Sequence, residues 1–279
     1  MEQKADTFVF STTAKPDLVN VDADKVLLWD KKDNKPAEDL IFQFKNAPAY
    51  LDRKEAIDFF GKKSMPELSL GLTDKFAGLR KASIDLLARS KFATDGKVIE
   101  TIESIANNDK DKKTKAAALK FLAETTDAKY LGLFNKYVSD SSYSVSGAAL
   151  EGLMTIEPAK SYELAKKHSV DAKGVLADVV SAKFSANGKE EDFDFIANRY
   201  NDAPPSQEKI EMTEAFCEYL AKVNDVNKVK KGVDYILKFR GFIPEHLRGM
   251  LDGFFKAGLN KVSQSKPVEV SEYINKSFK

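Results

Sequence analysis

The spacing of apolar residues changes once along the chain, near residue 35. Before that point they come in short runs: Thr7-Phe8-Val9-Phe10-Ser11-Thr12, then Leu18-Val19-Asn20-Val21-Asp22, then Lys25-Val26-Leu27-Leu28-Trp29-Asp30. The runs are rich in β-branched and aromatic residues and are broken by Lys15-Pro16-Asp17 and Ala23-Asp24, so residues 1–34 are expected to hold two or three short β-strands. A ribbon of that size is marginal alone and leaves an open edge. Either it packs on the segment behind it or it belongs to a larger sheet whose other strands lie upstream. The pattern favours the second.

From Pro36 the period becomes helical. Leu40, Ile41, Phe44 and Ala47 share one face of a helix that starts near Pro36-Ala37-Glu38, where a first-turn proline and nearby acids are start signals. Ala56, Ile57, Phe59 and Phe60 repeat the pattern within Arg53–Phe60. Beyond them, helical stretches alternate with short breaks such as Gly61-Lys62-Lys63-Ser64, Ala93-Thr94-Asp95-Gly96, Ser139-Asp140-Ser141-Ser142 and Ala203-Pro204-Pro205-Ser206.

These helices share a frame. Ala82 precedes Ile84 and Leu87 as Ala117 precedes Leu119 and Leu122, and as Ala148 precedes Leu150 and Leu153. The frame continues less regularly at Val175, Ala177 and Val180, at Ala215, Cys217 and Leu220, and at Gly249, Leu251 and Phe254. Successive spacings are 35, 31, 27, 40 and 34 residues. Small residues let neighbouring helices approach and the large ones fill the groove between them. A drifting period with one helix pair per unit predicts a mostly α fold, an α-solenoid of HEAT/ARM-like helical hairpins over residues 35–279. A tetratricopeptide array fits less well, since its stricter period and its Trp, Gly and Tyr positions are missing.

Charge narrows the chemistry. The 44 Lys and Arg residues nearly cancel the 43 Asp and Glu residues, which leaves no excess to neutralise a phosphate backbone and argues against nucleic acid as a partner. No stretch approaches the ~20 apolar residues of a membrane span. The polar start, Met1 to Asp6, has no apolar signal core and assigns no compartment. Cys217 lies in an apolar pattern and reads as a buried structural thiol. His168 falls in the last turn of a helix, where it can cap free carbonyls, and His246 in a first turn after Pro244. With two distant histidines and one cysteine, no zinc site is expected, and neither a nucleophile elbow nor a phosphate loop is found. The run Asp109-Lys110-Asp111-Lys112-Lys113-Thr114-Lys115 interleaves its charges and is expected to be a solvated turn. Tyr235, Phe239, Arg240, Phe242, Arg248, Phe254 and Phe255 crowd the C-terminal end. That composition suits the core of the last repeats or an interaction surface.

The segment from Phe8-Val9-Phe10 through Lys15-Pro16-Asp17-Leu18-Val19-Asn20-Val21-Asp22-Ala23-Asp24 to Leu28 resembles the end of the β-sandwich domain of M1-family zinc aminopeptidases. There, an aromatic strand end is followed by a proline, an apolar pair, an Asp-x-Asp turn and an apolar strand. The helix with Gln and the Arg-x-x-Ala element that come next in that family are similar to Phe42-Gln43-Phe44 and Asp52-Arg53-Lys54-Glu55-Ala56. The resemblance is close over about 50 residues and beyond them extends only to repeat character.

The resemblance implies a parent zinc aminopeptidase with an N-terminal β domain, a thermolysin-like zinc domain and this C-terminal array. The family's His-Glu-x-x-His helix and Gly-x-Met-Glu-Asn motif do not occur in this chain, so no catalytic, cofactor-binding or metal residue carries over. Zinc is implied only for the parent's catalytic domain. The implied role is a non-catalytic scaffold and substrate-access cap, with the parent's own catalytic domain and a peptide substrate as partners. Arg240 and Arg248 are the candidate substrate-binding residues. Two other readings stay open: a free-standing HEAT-type interaction scaffold, and the C-terminal domain of an M1-like protein that has lost its zinc ligands.

Overall fold

Pro36 holds φ at −65° one residue before Ala37, and the first helix, α1 (Ala37–Asn46), begins there with Glu38 and Asp39 in its first turn. The computed structural model describes residues 7–27, 31–169 and 172–278, and it is mostly helical. Its Cα positions fall into two compact units, Met1–Thr125 and Thr126–Lys279, so the lead-in groups with the first helices.

In the first unit α1 packs on α2 (Tyr50–Lys62), and α2 on α3 (Ala77–Ala88). The 3-10 helix Pro66–Thr73 lies against α3, and α4 (Gly96–Asn108) pairs with α5 (Lys112–Glu124), which also packs on α3. Ser64 at φ 51° ends α2, and Asp95 caps α4 by accepting the amides of Lys97 and Val98.

The second unit follows the same plan. Its helices are α6 (Leu131–Tyr137), α7 (Tyr143–Ile156), α8 (Ser161–Lys167), α9 (Gly174–Asn187), α10 (Phe193–Asp202), α11 (Gln207–Leu220), α12 (Val226–Phe242), α13 (Glu245–Gln264) and α14 (Val268–Ser277). α7 packs on α9, α9 on α11 and α11 on α13, while α10 packs on α12 and α12 on α14.

Helices that carry the frame touch one another, α3 with α5 in the first unit and α7, α9, α11 and α13 in succession in the second, alongside pairs that do not carry it. Ile84, Leu87, Leu119, Leu122, Leu150, Leu153, Ala177, Val180, Cys217 and Leu220 are all buried. Gly147 shows what the small positions allow: a Cβ there would lie 2.8 Å from the backbone of Val175 and Leu176, so α7 and α9 meet backbone to side-chain stub. The last copy of the frame is misplaced. Gly249 is exposed, and Leu251 and Phe254 are only half-buried. Leu259 and Val262, about two turns further along α13, fill the core instead.

The expected strands do not form. Among residues 7–27 no strand is present, and Leu28-Trp29-Asp30 of the third expected strand lie outside the described residues. A strand is defined by its ladder of hydrogen bonds to a neighbour, and no such neighbour occurs among the described residues. The Asp-x-Asp turn does form. Asp22 and Lys25 sit at φ 53° and 54°, and the Asp22 carboxylate accepts the amides of Val26 (2.9 Å) and Leu27 (3.2 Å). Phe8, Val9, Phe10, Val19, Val21, Val26 and Leu27 are exposed.

Candidate functional site

Three places in the molecule gather polar side chains. The first is the junction between the lead-in and α1–α2. Gln43 on α1 is fully buried and its Nε2 donates to the Asp52 carbonyl (2.7 Å) and to Glu55 Oε2 (2.9 Å). Lys31 reaches Glu55 at 3.1 Å, Lys35 reaches Asp33 at 2.7 Å, and Lys25 pairs with the buried carboxylate of Asp52. Burial alone would lower the Lys31 ammonium, but Glu55 and Asp33 outweigh it and hold the pKa above the ordinary lysine value. Arg53 lies 4.6 Å from the Phe44 ring centre and donates its Nε to Asp74 at 2.7 Å. Of the positions picked out by the resemblance, Gln43 shares Glu55 with Lys31 in the network that pins the lead-in to the helices, whereas Arg53 ties α2 to Asp74 ahead of α3.

The second place corrects the reading of Asp109–Lys115 as a solvated turn. Lys110, Lys112 and Lys113 are exposed, but Thr114 and Lys115 are buried. Lys115 Nζ donates to the Asn107 carbonyl at 2.9 Å, and Asp111 caps α5 by accepting the Thr114 amide at 2.8 Å. Asp109 binds Arg80. The interleaved charges are a helix-to-helix splice: cations meet the free carbonyls of one helix end, and acids meet the free amides of the next start. Lys209 repeats the device in the second unit, donating to the carbonyls of Asn201 (3.0 Å) and Ala203 (2.6 Å) at the end of α10. The Glu190-Glu191-Asp192 acids begin a 3-10 turn before α10 as a helix start requires. Glu190 also accepts the amides of Asn224 and Asp225 ahead of α12.

Arg240 and Arg248 both lie at the turn between α12 and α13, and each is engaged in holding it. Arg240 forms a two-pronged pair with Asp252 at 2.7 and 2.8 Å and faces the Phe278 ring at 4.4 Å. Arg248 Nε donates to the Ile243 carbonyl at 3.0 Å. Their guanidiniums are committed to the scaffold. Of the aromatics nearby, Phe239 and Phe255 are core partners, edge to face at 5.9 Å, whereas Phe242 is 63% exposed, as are Leu247 and Met250 of α13 to 38% and 74%.

His168 is the C-cap residue of α8; burial, then the charge of Lys167, holds its pKa below the ordinary histidine value, so the neutral ring is favoured. His246 stands in the first turn of α13. Cys217 is buried against Gly258. Among the described residues no group of three or more His, Cys, Asp or Glu side chains is placed to hold a metal ion, and no helix is long and apolar enough to cross a membrane.

The third place is an open groove of about 480 Å³ in the second unit, lined by Asp178 and Ser181 of α9, Arg199 of α10, and Glu208, Met212 and Glu218 of α11. Arg199 pairs with Asp178. The Ser181 hydroxyl is buried and, like Arg199 Nε, has no hydrogen-bond partner among the described residues. This groove was not foreseen, because it is assembled from three helices and no single segment carries its signature. The spacing of Glu208, Met212 and Glu218 along one helix was its only legible trace. Compared with known proteins, the chain matches no family model and no curated protein.

Proposed function

We propose that this chain is a HEAT-type helical scaffold, the non-catalytic C-terminal region of an M1-like zinc aminopeptidase, and that its lead-in completes a β-sheet of the catalytic parent. The observation that carries the reading is the junction. A segment with seven exposed apolar side chains is fastened to the helices by Lys25 on the buried Asp52 carboxylate and by Lys31 on Glu55, which also accepts from Gln43, one of the positions that carry the resemblance. Leaving that much apolar surface in water has no folding benefit, whereas pairing with a neighbouring sheet would bury it. The solenoid reading is supported by the frame-sharing helices, which pack on one another in order within each unit. In the parent the array would cap access to the zinc domain, and peptide would pass along it. Zinc and the hydrolytic residues belong to that other domain.

The test is a peptidase assay on the purified chain with added zinc. No release of fluorophore from leucyl- or alanyl-aminomethylcoumarin is expected. Hydrolysis by this chain would overturn the reading.

A second reading, a free-standing interaction scaffold, is favoured by the exposed Phe242, Leu247 and Met250 around the α12–α13 turn. It predicts that the lead-in stays unpaired in the native protein.

A further inference from the structure

Residues 7–27 bury little of what they carry. Phe8, Val9, Phe10, Val19, Val21, Val26 and Leu27 are exposed, and of the larger apolar side chains only Leu18 is half-buried. The attachment of this stretch to the helices is therefore polar. Lys25 stands at φ 54° in the turn after Asp22, and its ammonium donates to the Asp22 carbonyl at 2.9 Å. The same ammonium pairs with the Asp52 carboxylate in the first turn of α2, so one side chain closes the turn and clips it to the array. Among the described residues, no other side-chain hydrogen bond or ion pair joins residues 8–27 to the helices.

The clip is a marginal one. Asp52 is 1% exposed, so closing the segment takes its carboxylate out of water, and that desolvation offsets much of the attraction to Lys25. The closed junction also leaves three buried acceptor oxygens, Asn20 Oδ1, Gln43 Oε1 and Asp52 Oδ1, without a hydrogen-bond donor among the described residues. Each such atom costs free energy that water relieves wherever it gains access. Further along, the attachment is of a different kind. Lys31 and Lys35 both reach Asp33 and Glu55, and these four groups balance in charge.

We propose that residues 7–27 form a strap that opens from α1 and α2 while the helices stay folded, with the Lys25–Asp52 pair as its clip. Little buried apolar surface and few polar bonds place a segment at the low end of the scale of local opening. The network of Lys31, Asp33, Lys35 and Glu55 is where the strap stays attached. Opening returns Asp52 to water and offers the unpaired backbone of Thr7–Thr12 and Leu18–Asp22 to a sheet edge. The opening is a property of this chain whether or not a sheet receives the segment, so it can fail while the scaffold reading stands.

The experiment is native-state hydrogen exchange on the full chain, read by NMR. The reporters are the amides of Lys25, Val26 and Leu27, which donate to the Asp22 carbonyl and carboxylate, and the core amides of α2. In the wild type the turn amides should be protected, yet exchange at least about a hundredfold faster than those of α2 and with little dependence on urea, as a local opening does. Lys25→Met should speed the turn amides about tenfold, while α2 and the thermal midpoint stay unchanged. Combining Lys25→Met with Asp52→Asn removes the stranded charge and should bring the rate part of the way back. Turn amides that exchange in step with α2, or a Lys25→Met that speeds both alike, would make the segment part of the cooperative core and overturn the proposal. Unprotected turn amides in the wild type, an unchanged rate in Lys25→Met, or a double variant no slower than the single one would each overturn the clip.

Discussion

Arg80 and Asp109 meet through two parallel N–H···O bonds, 2.7 and 2.8 Å long, that tie the start of α3 to the end of α4. The same guanidinium donates to the Asp74 carbonyl at 2.8 Å, so one side chain closes three of the bonds that turn the chain from helix to helix. Burial alone would raise the Asp109 carboxyl. The Arg80 hydrogen bonds, the Asp111 amide and the charges of Arg80 and Lys115 outweigh it and hold the carboxyl below the ordinary aspartate value of 3.8.

Replacing Arg80 with Ala should destabilise the chain by about 2 kcal/mol, the size of a lost charge-assisted pair that is only partly screened by water. Urea denaturation measures it. Because the folded carboxyl lies lower than the unfolded one, the contribution is complete above pH 3.8 and fades as the pH falls through the folded value. The difference between wild type and Arg80→Ala should therefore shrink below pH 4. A difference that is the same at pH 7 and pH 3 would contradict the pairing.

Two glycines should respond to alanine with opposite signs. At Gly147 the new Cβ would press on the α9 backbone at 2.8 Å, and a loss of about 1–3 kcal/mol is expected despite the better helix former. At Gly253, inside α13, nothing lies within 4 Å, so alanine should stabilise by up to about 1 kcal/mol. Thermal melts of both variants decide it, and a stabilised Gly147→Ala would mean that α7 and α9 do not approach this closely.

Lys209 is buried, and its ammonium serves two carbonyls at the end of α10. Lys209→Met keeps much of the stem but removes the donors, and should cost about 1–2 kcal/mol. Lys238→Met removes an exposed lysine that contacts Asn201 Oδ1 and should cost well under 1 kcal/mol. Chemical denaturation of the two variants side by side checks the contrast.

Burial pushes the Cys217 thiol up to about 12, against an ordinary value of 9.0. The native chain at pH 8 should therefore resist a disulfide-exchange reagent, and one thiol should react once urea is added. Fast labelling of the native chain would place Cys217 at the surface.

Much of this fold is legible in the sequence because packing between neighbouring helices depends on local spacing. Ala117, Leu119 and Leu122 repeat the spacing of Ala82, Ile84 and Leu87, and the two helices that carry these residues, α5 and α3, pack on each other. The frame slips at Gly249 because the exposed first half of α13 carries residues of the right size in the right order, and spacing alone does not report burial. Strand composition is not strand pairing: Phe8 to Leu27 has β-branched and aromatic residues, but no ladder of hydrogen bonds forms among the described residues. Charge spacing is silent on burial for a similar reason. Lys115 looks solvated beside Lys112 and Lys113 until the end of α4 is set next to it. The groove at Ser181 and Glu208 needs three helices in place before its residues share a neighbourhood.

The scaffold reading is tested most directly by the native polypeptide that carries this sequence, captured from its source with an antibody raised against the chain. Its intact mass, zinc content and aminopeptidase activity are read on the same sample. The expected result is a polypeptide well above the 31.0 kDa of this chain, with about one zinc ion and hydrolysis of an aminoacyl reporter. A native polypeptide of 31.0 kDa without aminopeptidase activity would contradict it and leave the interaction scaffold as the function.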